Sequence, residues 1–305
     1  HDRNDHTVPV CNEEILGIRR RALIMKAKKR IRDVVYHVIV FGIGILMIYP
    51  LIWMFMSSFK ETKTIFQTAG SLIPNPFTLD NYINGLKGFA KVPFLVFFKN
   101  SLFISVVATI GTVISSAVVA YGFARFDFKG KKILFAAMLL SMMLPAQVLM
   151  IPQYLWYQKL GWVGSYLPLI VPYFFAIQGF FVYLMTNFID GIPKELDEAA
   201  KIDGCSYPQI FGRVILPLIT PALVTGGIFS FMWRWDDFLS ALLYVQKSVQ
   251  YPVSLALKLF CDPGSSSDYG AMFAMATISI IPSILIFLIF QRYLVDGIST
   301  SGLKG

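Results

Sequence analysis

The chain has 305 residues, 56% hydrophobic and only 15% charged, with a mean hydropathy of +0.62 and a formal net charge of +9. Soluble domains carry about 25% charged residues, so this composition excludes an ordinary water-soluble globule, whose surface would be left with large apolar patches. The basic excess does not read as a nucleic-acid groove. Its densest block, Arg19, Arg20, Arg21, Lys26, Lys28, Lys29, Arg30 and Arg32, ends just before the first long apolar run, no zinc-finger spacing is present, and the aromatics sit inside apolar runs.

Roughly 20 apolar residues cross a hydrocarbon core of ~30 Å. Six runs qualify: 34–57, 100–123, 133–156, 167–189, 218–245 and 271–294. Backbone groups in lipid must be paired within their own segment, which predicts helices. The roughly 10-residue alternating segments of a membrane barrel are absent. The expected fold class is therefore all-α: a polytopic membrane protein of six transmembrane helices, with a basic segment 1–33, a six-helix transmembrane bundle 34–294 and a tail 295–305. The first run is too long for a signal-peptide core and has no obvious small-residue cleavage site, so it reads as a retained helix. Seventeen lysines and arginines fall in 19–32, 125–132, 194–213 and the C-terminal end with Arg292 and Lys304, against eight in the segments between, at Lys60, Lys63, Lys87, Lys91, Lys99, Lys159, Lys247 and Lys258. The excess of basic residues marks the cytoplasmic side, so both termini are expected there, with 59–99, 157–166 and 246–270 outside. Cys261 would then lie across the membrane from Cys11 and Cys205, which argues against an intrachain disulfide, and the three share no metal-ligand spacing.

Pro145 and Pro152 interrupt the third run, and Pro168 and Pro172 open the fourth. They predict kinked core helices, either as ordinary bundle kinks or where a wet cavity satisfies the freed carbonyls. Tyr173, Phe174, Phe175, Phe180 and Tyr183 in the fourth run suit bundle packing, lipid contact or stacking on a bound ring.

Between runs four and five, residues 190–217 predict two short helices. Pro193 suits a first helical position, and Glu195, Asp197 and Glu198 suit the positive end of a helix. Gly204 suits a left-handed stop, and Ser206 with Gln209 has capping-box spacing with Pro208 early in the second helix, which Pro217 should end. Leu196, Ala199, Ala200 and Asp203 fall roughly along one side of the first helix. Such a helix either seats in a partner's groove, with Glu198 supplying charge, or lies on its own bundle.

In the fifth run, Ala222, Gly226 and Ser230 share one face and signal close packing. Arg234, Asp236 and Asp237 are ionisable residues within an apolar run, which points to a functional site. Arg234 and Asp237 are also spaced for an i,i+3 ion pair, so a structural pair and a ligand contact both stay open. An arginine here would suit an acidic ligand.

Glu198-Ala199-Ala200, then Gly204, then Val214-x-Leu216-Pro217 resembles the EAA loop of ABC importer permeases, with Val214 in the aliphatic place. Ser57-Ser58-Phe59-Lys60, Leu144-Pro145-Ala146-Gln147 with Ile151-Pro152, Trp235-Asp236-Asp237-Phe238 and the tail Ser301-Gly302-Leu303-Lys304-Gly305 are similar to the carbohydrate subgroup, the maltose-type second permease. The resemblance covers residues 34–305. It departs at Asp236, where the subgroup usually has Asn, and at Arg234.

The resemblance implies a permease subunit in a bacterial cytoplasmic (inner) membrane. It implies a second permease in a heterodimer, two ATPase subunits holding ATP and Mg, an external solute-binding protein and a carbohydrate substrate. Leu196, Glu198, Ala199, Ala200, Asp203 and Gly204 would form the ATPase-coupling helix, and Gly302, Lys304 and Gly305 would touch the ATPase pair or fray. Arg234, Asp236, Asp237, Tyr173 and Tyr183 are candidates for the substrate path. The chain has no phosphate loop of its own, since Gly130-Lys131-Lys132 lacks the upstream glycine. An ion-gradient-driven secondary transporter is the alternative, though no convincing internal repeat is visible. An intramembrane enzyme has little support, with His1, His6 and His37 the only histidines and neither a His-Glu-x-x-His nor a Gly-x-Ser-x-Gly motif.

Overall fold

A computed structural model describes residues 9–89, 91–261 and 267–302, with side chains over 29–89, 91–261 and 267–293. Among the described residues the regular structure is helical, with only two isolated antiparallel bridges, Lys60–Phe77 and Phe89–Val92. The chain divides into two units, His1–Met56 and Ser57–Gly305.

The first unit is essentially one helix, α1 (Pro9–Ser57). It begins at Pro9 rather than at residue 34, so the basic segment and the first span share one helix. Its stretch Lys29–Ser57 is 29 residues long, about 43 Å at 1.5 Å per residue, which exceeds a hydrocarbon core.

The second unit is organised around α3 (Phe94–Arg125), a helix of 32 residues. Small residues at Ser101, Ser105, Ala108, Thr112, Ser116, Ala120 and Ala124 recur every three or four positions and are all buried. That stripe admits close backbone approach, and α7 (Gly179–Asp190) and α11 (Thr220–Trp235) pack along it. On α11, the stripe Ala222, Gly226 and Ser230 is buried, and a Cβ at Gly226 would meet Met185 at 3.3 Å. It is a packing face.

Among the described residues, four helices are long and apolar enough to span on their own: Lys29–Ser57, Phe94–Arg125, Leu167–Asp190 and Tyr269–Tyr293; two further bent pairs bring the number up to six. The third expected span is α4 (Lys131–Met142) and α5 (Ala146–Lys159), bent by 104°. Pro145 caps α5 in extended geometry, whereas Pro152 is carried inside it, so the sharp break belongs to Pro145 alone. The fourth span opens with α6 (Leu167–Ile170) and a 3-10 turn Val171–Phe175, breaks at Ala176, whose φ is +50°, and resumes as α7. The freed backbone is satisfied from α3: Ser115 Oγ donates to Tyr173 O at 3.0 Å and accepts from the Ala176 N–H at 3.1 Å. Non-helical backbone at membrane depth persists only where protein satisfies it in this way.

The fifth span is shorter than expected. A 76° bend separates Tyr207–Leu218 from Thr220–Trp235, and a second break at Asp236–Asp237 sets off α12 (Phe238–Tyr244). The preceding helix ends at Leu218, one residue beyond Pro217. Pro217 lies in the short α10 (Leu216–Leu218), beyond a π turn at Phe211–Ile215. Because proline lacks the N–H that the carbonyl four residues upstream would accept, the wider turn before it accommodates the residue. The sixth span, α14 (Tyr269–Gly302), runs past residue 294 into the expected tail.

At the N-terminal end of α3, Phe94 and Phe97 form a core with Val253 and Ala256 of α13 (Val253–Leu259) and Ala271, Ala274 and Met275 of α14. The connection after α1 folds onto this end through α2 (Asp80–Lys87). Asn81 Nδ2 donates to Ser58 O at 2.8 Å and Lys60 O at 2.7 Å, and the fully buried Lys60 ammonium donates to the carbonyls of Thr68 and Ser71. Cys205 and Cys261 are free thiols.

Candidate functional site

At the C-terminal end of α3, the 190–217 segment forms α8 (Glu195–Ile202) and α9 (Tyr207–Ile210), the latter continuing through the π turn. Three acidic residues occupy the first turn of α8 and Lys201 the last, which complements the helix dipole at both ends. The stop is a Schellman motif. The Gly204 N–H reaches Lys201 O and the Cys205 N–H reaches Ala200 O, both at 3.0 Å, with Gly204 at φ +83°. The expected capping box at Ser206 and Gln209 is present, with the Ser206 N–H donating to Gln209 Oε1 at 2.8 Å.

Burial decides which way α8 faces. Asp197 and Ala200 are buried, while Leu196, Glu198, Ala199, Ile202, Asp203 and Gly204 are exposed. The expected side containing both alanines is therefore split, with Ala200 turned inward. Glu195, Glu198, Ala199 and Ile202 form the open face at helical spacing, and Ile202 is 87% exposed.

The inward face is keyed to the bundle by contacts that sequence reasoning missed. Arg125, the last residue of α3, brings Nε within 2.5 Å of Asp197 Oδ2, with side-chain exposures of 5% and 10%. Its Nη2 donates to Ile192 O at 2.8 Å. Around this pair, Tyr121 lies against Phe211 with ring centroids 5.0 Å apart, and Phe126 lies against Tyr207 at 5.0 Å. Ala200, Ile210 and Ile215 share one buried cluster with Ala120 and Tyr121 of α3 and Ile189 of α7. A displacement of α8 therefore has to move α3 and α7 or break these contacts. Arg125 and Asp197 are too far apart in the chain for spacing to betray them.

A second constellation forms where three helix breaks meet. A cavity of about 550 Å³ is lined by the α4–α5 elbow, the break before α7 and the end of α11, within the roughly 300–1,000 Å³ range of small-molecule sites. Arg234 pairs with Asp237 at 3.1 Å, its guanidinium stands 4.5 Å over the Tyr173 ring, and its Nη1 donates to the Tyr173 hydroxyl. Asp237 also caps α12 by accepting from the Ser240 N–H at 3.1 Å. Of the expected substrate-path residues, Tyr173, Arg234 and Asp237 meet at this wall. Asp236 is exposed and outside the lining, and Tyr183 faces Phe135 instead. The lining also includes Gln147, Gln153, Gln178, Phe180 and Trp233. Of the tail residues, Gly302 ends α14, and Lys304 and Gly305 lie outside the described residues.

Residues 113–300 match the family model described as "Binding-protein-dependent transport system inner membrane component". The chain is 36% identical over 258 residues to the probable ABC transporter permease protein YurM of Bacillus subtilis, covering 84% of each chain. It is 32% identical over 262 residues to the trehalose/maltose transport system permease protein MalG of Thermococcus litoralis, covering 86% of this chain and 93% of that one. Its fold is similar to that of a chain in a bacterial ABC transporter involved in the import of the acidic polysaccharide alginate, with a TM-score of 0.76 at 24% identity, over 87% of this chain and 96% of that chain.

Proposed function

The chain belongs to the family of binding-protein-dependent transport system inner membrane components, and from that premise we propose that it is one permease subunit of an ATP-driven importer of sugars or oligosaccharides. The substrate class rests on relatives named for trehalose/maltose and arabinooligosaccharide transport. The ion-gradient alternative loses its footing with the family assigned. In this reading the chain works beside a second permease, as a heterodimer. Two ATPase subunits hold ATP and Mg, and an external binding protein delivers the sugar. The excess of basic residues favours both termini and α8 on the cytoplasmic face of a bacterial inner membrane in this reading.

The observation that carries the reading is the two-sidedness of α8: one face open, the other locked to α3 through Arg125–Asp197. The open face, with Glu198, Ala199 and Ile202 flanked by Leu196 and Asp203, fits a groove on an ATPase subunit. Gly204 holds the turn that ends it, and the tail from Gly302 adds a second contact. When the ATPase pair closes on ATP, α8 is dragged and the locked face passes the movement to α3 and α7. Work passes only if the gripped contacts differ between the two states of the bundle. The test is an Ala199→Cys variant, with Cys205 replaced by Ser, in the assembled transporter. A short thiol cross-linker should join it to an ATPase subunit with a yield that changes when ATP is bound. No such product in an active preparation removes the proposal.

A further inference from the structure

We propose that this chain itself carries a saccharide subsite in the cavity behind Arg234, and that the subsite takes an uncharged sugar unit. The inference rests on the importer reading and goes beyond it in naming the wall and the charge state it selects. Among the described residues, the charged side chains lining the cavity are Arg234 and Asp237, 3.1 Å apart and opposite in sign. The tyrosine at position 173 takes one further donor of the guanidinium. A sugar carboxylate would have to compete with Asp237, which is already in place and also holds the start of α12. The arginine therefore gives the wall no net positive charge with which to attract a uronide.

What the wall does offer suits hydroxyl groups. Gln147, Gln153 and Gln178 line it, and each amide has donors and an acceptor. Among the described residues, Oε1 of Gln178 and Nε of Arg234 are shielded from solvent without a hydrogen-bond partner, so a sugar hydroxyl reaches them only after a side chain shifts. Such atoms are rare in a finished core and call for a partner. Trp233 and Phe180, with ring centroids 5.4 Å apart, supply aromatic surface at the same wall for the C–H face of a sugar ring. A lipid chain in this space would leave three amides and an ion pair facing hydrocarbon, which is costly. Gln178, next to the break before α7, and Arg234, at the end of α11, line the same space.

The experiment is uptake by the assembled transporter in proteoliposomes, with maltotriose, arabinotriose and galactotriose as neutral probes and trigalacturonate as an acidic probe of the same length. The wild type should carry at least one neutral probe, with the acidic one at least tenfold slower. Gln178→Leu and Trp233→Ala, compared at equal yield of assembled complex, should each lower uptake of that neutral probe roughly tenfold, the size expected of a lost buried contact. Unchanged uptake in both variants overturns the subsite while leaving the importer reading in place. Trigalacturonate carried as fast as the neutral probes overturns the charge argument. A wild type that carries none of the four probes overturns the sugar reading and this inference with it.

Discussion

Asp197→Asn tests the lock between α8 and the bundle. The substitution keeps the shape of the side chain and removes its charge. It leaves Arg125, 5% exposed at the side chain, facing a neutral group across a former 2.5 Å contact. Removing one partner of a buried ion pair costs about 3–5 kcal/mol, because the other charge stays buried without compensation. The lower end applies here. Arg125 keeps the Ile192 carbonyl, it lies at the negative end of α3, and Asp197 Oδ1 has no hydrogen-bond partner to lose. A loss of about 3 kcal/mol is roughly a hundredfold in the ratio of docked to undocked α8. The loss should be local, since α3 keeps its packing against α7 and α11. In hydrogen exchange on the assembled transporter, the α8 amides should lose about two orders of magnitude of protection while the middle of α3 does not change. Sugar moved per ATP hydrolysed should fall alongside. Replacing the pair by Arg125→Met with Asp197→Leu should restore much of the protection, because an apolar contact leaves no charge stranded. Unchanged exchange across α8 in Asp197→Asn, with transport per ATP intact, would refute the lock.

Two further outcomes follow from the same geometry. Gly204→Val forces a β-branched residue into φ +83°, a strain of about 1–3 kcal/mol; transport should be lost while the permease still inserts, and normal uptake would show that the turn is not needed. Ser115→Ala removes the hydroxyl that serves Tyr173 O and the Ala176 N–H, at about 1–3 kcal/mol for each backbone group left unpaired. It should lower the melting temperature of the purified complex by several degrees and slow uptake, and an unchanged melt would mean that other groups satisfy the break.

Membrane residence, the helical class and the approximate spans were legible in the sequence, because each depends on local composition. An apolar run of sufficient length has one way to satisfy its backbone in lipid. The caps of α8 and α9 were legible for the same reason, since Gly204, Ser206 and Gln209 act on neighbours within a few residues. Which prolines break a span was not. Pro152 stays inside helical backbone, whereas Pro145 marks a turn of 104° and Pro217 lies one residue before a helix end where the chain bends by 76°. The inward turn of Ala200, the Arg125–Asp197 lock and the meeting of Gln178 with Arg234 were likewise decided by tertiary structure. Each joins residues from different helices, and no periodicity within one helix records how far its neighbour is rotated. Local chemistry therefore determined the elements and their ends, and packing around α3 determined which of their faces are free to act.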